Sequence, residues 1–312
     1  MRVCYLLLLF LLVGSTSGFA DIHILVPENR PALIEAAEEI KHAIRQKGVQ
    51  EDELHLQLGL ENTTPAFQNH DLILTLGPQA ASYALQNSKH NVLIFTYVEE
   101  AFIREKTAAR KPGSWAAVVI NQPLVRMQKL ADLLLRERNK KTVLIANSLN
   151  NDLVNQQVAN LPVEPNVHIL HRSIEANARD IARLEDEFYQ AGLVLAPLDR
   201  TLWRGKNARL LLHQAYSYKV PVIAHSRAFT KAGAMMALYL GKSEVAEETA
   251  ELAYTWLAAN SFGQQAVIYP AANIDINDNI ARALRFDPDR IRQQIKEGAS
   301  REEVLGRYSS AR

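Results

Sequence analysis

The sequence predicts an α/β protein of two lobes, each a parallel sheet flanked by helices, joined by a multi-strand hinge. Three observations carry that expectation. Strand-like apolar runs alternate with helix-length amphipathic stretches from residue 21 onward, which is the signature of crossover connections in parallel sheets. The alternation runs for about 100 residues and then restarts for about 100 more, with no residue-level repeat between the halves. No Pro/Gly/Ser-rich linker separates them, which suits a shared hinge better than two beads on a string.

In the first half, Asp21–Val26 reads as a buried strand and Pro31–Lys47 as a helix, with Leu33, Ala37, Ile40 and Ile44 on one stripe and Gly48 ending it. Leu54–Leu58, Asp71–Leu76 and Val92–Tyr97 read as strands, with a helix over Pro78–Gln86 and a shorter apolar run over Ala116–Ile120. The second half opens with a helix from Pro123 to about Arg136 that places Leu124, Met127, Leu130, Ala131 and Leu134 together. Thr142–Ala146, Val167–His171, Leu193–Ala196 and Val220–Ala224 are strand candidates, separated by helical stretches near 149–159, 176–190 and 202–217. After residue 227 come a strand candidate at Ala234–Leu240, a long amphipathic helix at Ser243–Asn260 and a short strand at Ala266–Tyr269. Neither half is complete without these pieces, so the chain is expected to cross back between lobes. The first lobe is assigned 21–120 plus about 242–265, and the second 121–241 plus about 266–312.

The first twenty residues carry export features. Arg2 precedes an apolar core from Tyr5 to Val13, and small residues at Gly18 and Ala20 fit cleavage after Ala20. That core is too short to span a bilayer, and no later segment approaches the roughly 20 apolar residues a span requires. A soluble, exported chain with no direct membrane insertion is expected. The single cysteine, Cys4, falls inside the leader. Disulfides, thiolate metal sites and cysteine nucleophiles are therefore excluded from the processed chain. Charge is balanced: the sequence holds 35 Lys and Arg against 34 Asp and Glu. With no basic block, the long-range pull toward nucleic acid or anionic lipid is missing.

Catalytic signatures are missing too: the sequence has no G-x-S-x-G elbow, phosphate loop, dinucleotide fingerprint or H-E-x-x-H helix. His168 and His171 are three apart, which on a strand points them to opposite faces. Asp275-Ile-Asn277-Asp-Asn279 opens like a calcium loop, yet Ile280 and Phe286 stand where such a loop needs Gly and Glu; a polar turn before a helix is expected. Asn62-Thr63-Thr64 matches a glycosylation acceptor formally and reads as a surface loop before Pro65. No metal or cofactor is expected.

What remains are polar residues just past strand ends, where open parallel sheets bind ligands and helix N-termini offer free N–H groups. Five loops qualify: 77–81 with Gln79 and Ala80, 96–99 with Tyr97, 147–151 with Asn147 and Ser148, 197–201 with Asp199, and 225–227 with His225 and Ser226. Asp199 either pairs with a ligand ammonium or serves as a helix N-cap or a partner of Arg200. Tyr97 either stacks on a ligand or covers the hinge. Asn147, Ser148, His225 and Ser226 suit helix caps as well as ligand contacts. An enzyme would need a base beside a nucleophile, and only His225 and Ser226 offer those types, with no third group to orient the His.

The order Leu76-Gly77-Pro78-Gln79-Ala80-Ala81, then Lys219-Val-Pro-Val-Ile-Ala224, then Lys231-Ala-Gly-Ala234 resembles the substrate-binding family of ABC transporters that includes tryptophan/tyrosine-type binding proteins. The likeness runs from about 70 to 285 and rests on the order and spacing of short motifs. It implies a periplasmic-binding fold of the first type: two Rossmann-like lobes, three hinge crossings, a small-molecule ligand between the lobes and no enzymatic activity. In that resemblance Gln79–Ala80 match the first-lobe ligand loop, Asn147–Ser148 an Asn-Pro turn, Asp199 the Asp of a Pro-x-Asp loop, and His225–Ser226 a Gly-Ser pair. Ser148 in place of Pro, His225 in place of Gly, and the run on from Asp199 into Arg200 and Trp203 reshape the pocket, so an aromatic amino-acid ligand does not carry over. The resemblance implies capture of a small polar solute, an amino acid or small carboxylate, in the periplasm. Its partner would be an ABC permease, or a periplasmic sensor domain if the same closure delivers a signal instead of cargo.

Overall fold

The computed structural model describes residues 20–28, 30–60, 67–111, 113–262, 266–296 and 305–310. All but the last residue of the expected leader, and the Asn62 acceptor, lie outside these. Among the described residues no helix is long and apolar enough to cross a membrane.

The first lobe begins with β1 (Ile22–Val26), α1 (Pro31–Gln46), β2 (Leu54–Leu58), β3 (Leu72–Leu76), α2 (Gly77–Asn87), β4 (Val92–Val98), α3 (Glu100–Thr107) and β5 (Trp115–Val119). The second follows with α4 (Leu124–Leu135), β6 (Thr142–Ser148), α5 (Asp152–Ala159), β7 (His168–Ile174), α6 (Ala178–Ala182), α7 (Glu185–Gln190), β8 (Leu193–Ala196), α8 (Gly205–Ser217), β9 (Val222–Ala224), α9 (Arg227–Ala232) and β10 (Met236–Tyr239). The remainder is α10 (Lys242–Ala259), β11 (Ala266–Tyr269), β12 (Asn273–Ile276), α11 (Asp278–Ala283), α12 (Pro288–Lys296) and β13 (Tyr308–Ser310). The strands form two sheets, ordered β13-β11-β5-β4-β3-β1-β2 and β12-β10-β9-β8-β6-β7. Every pairing is parallel except β11 with β13 and β10 with β12. This is the two-lobed α/β architecture expected.

Each sheet buries both faces, which explains why its central strands are largely apolar instead of alternating. On one face of the first sheet, Ile22, Ile24, Leu72, Leu74 and Ile94 meet Ala37, Ile40 and Ile44 of α1 and Ala250, Ala253 and Trp256 of α10. On the other, Leu25, Ile73 and Phe95 meet Ala80, Ala81 and Ala84 of α2. Small residues on α2 and α10 let those helices approach the sheet closely. Gly77 has φ of 84°, so α2 starts directly on the last residue of β3, a turn that a Cβ would strain. In the second lobe α4, α11 and α12 cover one face and α6, α7 and α8 the other.

Three expectations need correction. Residues 266–269 belong to the first sheet, because β11 hydrogen-bonds to β5; β13 joins the same sheet beyond it. The stretch 266–312 therefore contributes to both lobes. Among the described residues the chain consequently crosses between lobes four times rather than three, at 120–123, 240–241, 270–272 and 305–307. Asp275 and its neighbours form β12 rather than a turn, and Asn277 caps α11 by accepting from the Ile280 amide. Two short helices, α3 and α9, escaped the pattern because each offers only two or three buried positions.

Arg126 ties the crossings together. It sits in the first turn of α4 with 2% of its surface exposed. Its Nη1 donates to Gln122 Oε1 at 2.7 Å, and its Nη2 to the carbonyls of Pro270 at 3.1 Å and Gly306 at 2.6 Å. Three of the four crossings thus meet on one guanidinium. Burial pulls its pKa down to about 10, with Tyr269 acting the other way. The remaining crossing is fastened by Asn273 Nδ2, which donates to Glu244 Oε1 at 2.8 Å. Arg126→Met keeps the aliphatic stem and strands three acceptors, so it is expected to cost about 3 kcal/mol. A urea midpoint lowered at constant slope is the measurement.

Candidate functional site

The carboxyl ends of both sheets meet across a cleft of about 620 Å3. The first lobe contributes Glu99, Ala101, Arg104 and Glu105 from the end of β4 and α3, and Asn121 from the first crossing. The second contributes Ser148 at the end of β6, Asn150 and Asn151 in the loop that follows, Asp152, Leu153 and Gln156 on α5, and Leu198–Thr201 after β8. A second space of about 330 Å3 shares Arg104, Leu153 and Gln156 with it and reaches Tyr269 and Tyr308 at the hinge. The lining is polar and of mixed charge, with Leu153 and Leu198 its larger apolar members.

Asp199 organises the second-lobe wall. Its Oδ2 accepts from the Ser148 amide at 2.7 Å, the Ser148 hydroxyl at 2.9 Å and Asn151 Nδ2 at 3.1 Å. Its Oδ1 accepts from the amides of Thr201 at 2.9 Å and Leu202 at 2.8 Å. Burial pushes this carboxyl up, but the Leu202 and Ser148 amides with the Asn151 and Ser148 side chains outweigh it and leave the pKa below its ordinary value. Five donors saturate the carboxylate, so Asp199 acts as a cap that fixes the β6 and β8 loops to each other. Of the two roles open in the sequence, capping is the one its geometry fills.

The first-lobe wall carries the complementary charges. Glu99 precedes α3 and forms an ion pair with Arg200 across the cleft. Glu100, 1% exposed, accepts from Arg104 Nε at 2.6 Å and from the Tyr269 hydroxyl, and Gln157 of the opposite lobe reaches its Oε2 at 3.4 Å. Burial, and then the Glu100 carboxylate, raise the Tyr269 pKa well above the usual phenol range. Asn121 Oδ1 accepts from the Glu100 amide at 2.8 Å, so a hinge residue caps the helix that lines the cleft.

Of the residues singled out in the sequence, Ser148 and Asp199 line this cleft. Asn147 lies just behind it and is wholly buried: its amide donates to Asn155 Oδ1 at 2.9 Å, and its Oδ1 lies 2.6 Å from His171 Nε2. Ala80 is packed in the core on the buried face of α2, and Gln79 is exposed on the first turn of that helix. Tyr97 has φ of 56° at a register shift in β4. The bulge turns its ring into the core against α1 and α10, where burial pushes its pKa to about 12. His225 rests edge-on against Phe229 at 4.9 Å with Nδ1 3.2 Å from the Ala196 carbonyl; burial holds its pKa below the ordinary value. Ser226 precedes α9 without a side-chain cap bond. The loops were therefore legible, while Glu99, Arg104, Asn121, Asn151 and Arg200 were missed as individuals. For Glu99, Asn151 and Arg200 the signal was present: each lies within one of the named loops. One His/Asp group with metal-ligating spacing occurs among the described residues, outside the cleft.

No family profile matches the chain, and no curated protein matches it significantly. Solved structures do match. A ligand-free, open substrate-binding protein with adhesive properties from Clostridium difficile aligns with a TM-score of 0.66 at 15% identity, over 86% of this chain and 95% of that one. An ABC domain complexed with L-Trp from Streptococcus pneumonia aligns at 0.58 and 14%, over 88% and 98%. A periplasmic ribose ABC transporter protein from Conexibacter woesei aligns at 0.51 and 9%, over 89% and 99%. At such identities the likeness establishes the fold: the chain has the two-lobed periplasmic-binding fold of the first type.

Asp199→Asn replaces an acceptor by an amide facing donors, and is expected to cost about 2–3 kcal/mol at neutral pH. Because the native pKa lies below the unfolded one, the carboxylate's contribution is complete above the ordinary value of 3.8. It is lost as pH falls through the native value. Denaturant titrations should accordingly show the gap between variant and wild type narrowing as pH drops below 3.8.

Proposed function

We propose that this protein is a periplasmic solute-binding protein of an ABC transporter, which captures a small polar solute, an amino acid or small carboxylate, between its lobes. The observation that carries the reading is the polar cleft of about 620 Å3 between facing carboxyl edges, within the usual range for small-molecule sites. Arg104 and Arg200 supply cationic heads for a carboxylate, and Glu99, Glu105 and Asp152 supply anionic ones for an ammonium. Closure on such a solute would bury these charges and change the surface that a membrane permease reads. The reading is of binding without chemistry: His225 and Ser226, the one base–nucleophile pair the sequence offered, do not line the cleft.

Native mass spectrometry of the protein taken from its own cell envelope should reveal a retained solute by its mass. A thermal-shift screen of amino acids and small carboxylates should then raise the melting temperature with at least one of them. Ala101 is exposed on the first turn of α3, within the cleft wall. Ala101→Trp is expected to fill the space and abolish the ligand-induced shift while leaving the unliganded melting temperature within about 2 °C, since exposed positions tolerate substitution. No retained mass together with no stabilisation across the screen would count against a receptor role.

A further inference from the structure

At the amino-terminal edge of the first sheet, opposite the cleft, a second group of polar side chains converges. Asp21 lies immediately before β1, and His23 is the second residue of that strand; at spacing i, i+2 the two share a face. His55 on β2 stands directly beside His23 in the parallel register. Asp71 lies immediately before β3, on the other side of β1. One ligand atom each from Asp21, His23 and Asp71 lie within 4.8 Å of one another. His23 Nε2 is 3.1 Å from Asp71 Oδ2, and His55 Nε2 is 3.3 Å from Asp21 Oδ2. The rings of His23 and His55 are 5.1 Å apart, and Phe67 packs edge-on against His23 at the same centroid distance of 5.1 Å.

We propose that Asp21, His23, His55 and Asp71 bind one divalent transition-metal ion of the zinc class. Two imidazoles and two carboxylates make a mixed N/O set suited to zinc. A tetrahedral ion with bonds of roughly 2.0–2.1 Å holds its donors about 3.3 Å apart, close to the two donor–donor distances above. Asp71 adds an independent sign. It is 2% exposed, yet its Oδ1 accepts no hydrogen bond, while Oδ2 already accepts from the Gln68 amide at 2.6 Å. A buried carboxylate oxygen without a donor is costly unless a cation meets it. His55, half-exposed on the edge strand, closes the set by rotating its ring toward the other three. The ion would staple the edge strand β2 and the start of β3 to β1, and so stabilise the lobe without touching the cleft.

The test strips the purified protein with a chelator and titrates it with Co2+ as a spectroscopic probe, then with Zn2+ by calorimetry. Expected are one equivalent bound, the intense visible bands of tetrahedral Co2+, displacement by Zn2+, and a higher melting temperature with Zn2+ present. Asp71→Asn and His55→Ala should each weaken binding roughly 10–100-fold or more, since even outer-shell changes cost that much. His168→Ala, an exposed imidazole on β7, should change nothing. Circular dichroism of each variant keeps loss of fold apart from loss of ligand. Absence of stoichiometric binding would overturn the proposal and leave two ordinary His–carboxylate pairs. So would affinity unchanged in both folded variants, which would place the ion at a site other than these four residues.

Discussion

A single guanidinium that has no carboxylate partner among the described residues governs how the two lobes meet. Arg126 donates to one side-chain amide and two backbone carbonyls drawn from three separate passages of the chain between lobes. A buried charge satisfied by neutral acceptors keeps its position only while all of them stay in place. The hinge therefore has a fixed point about which the lobes are built. Around it lies a second tier: Tyr269, Glu100, Arg104 and Asn121 link the same crossings to the helix that lines the cleft. A displacement of that helix is felt at the hinge through a chain of direct bonds.

The two walls of the cleft differ in kind. On the second-lobe side the polar groups satisfy one another: Asp199 is saturated by five donors, and Asn147 is shared among Ser148, Asn155 and His171. That wall is preformed. On the first-lobe side Glu99 reaches across to Arg200, whose side chain is 63% exposed. Exposed pairs of that sort contribute about 0–1 kcal/mol, so the bridge is weak enough to open and close. The bridge across the cleft is therefore a weak link between two walls whose other polar bonds run mainly within their own lobe or to the hinge.

The architecture could be read from the sequence because its strands bury both faces and so appear as apolar runs such as Trp115–Val119 and Leu193–Ala196. The long helices α1, α4 and α10 showed through their stripes for the same reason. What stayed hidden depends on pairing between distant segments. Nothing in Ala266–Tyr269 says which sheet it joins; its partner β5 lies about 150 residues earlier. The candidate site was legible as loops and illegible as residues. Ser and Asn after a strand announce a turn, but whether their polar atoms face a ligand or a neighbouring loop is fixed by tertiary contacts such as Ser148 to Asp199. Tyr97 was misplaced by one backbone dihedral, since a bulge of a single residue sends its ring to the opposite face.

The order in which the strands fall along the chain has a consequence for how the molecule comes to exist. The first lobe's sheet ends on β13, the last described strand, which seals the outer side of β11. During synthesis from the amino terminus, β11 presents an open edge until residues 308–310 have emerged. Contacts between segments this far apart in sequence form slowly, and an unpaired apolar edge is a site for adhesion to other chains. Completion of the first lobe's sheet thus waits until the strands of the second lobe have been made, which favours a nascent chain whose first lobe stays uncommitted to its native shape while the second is being synthesised.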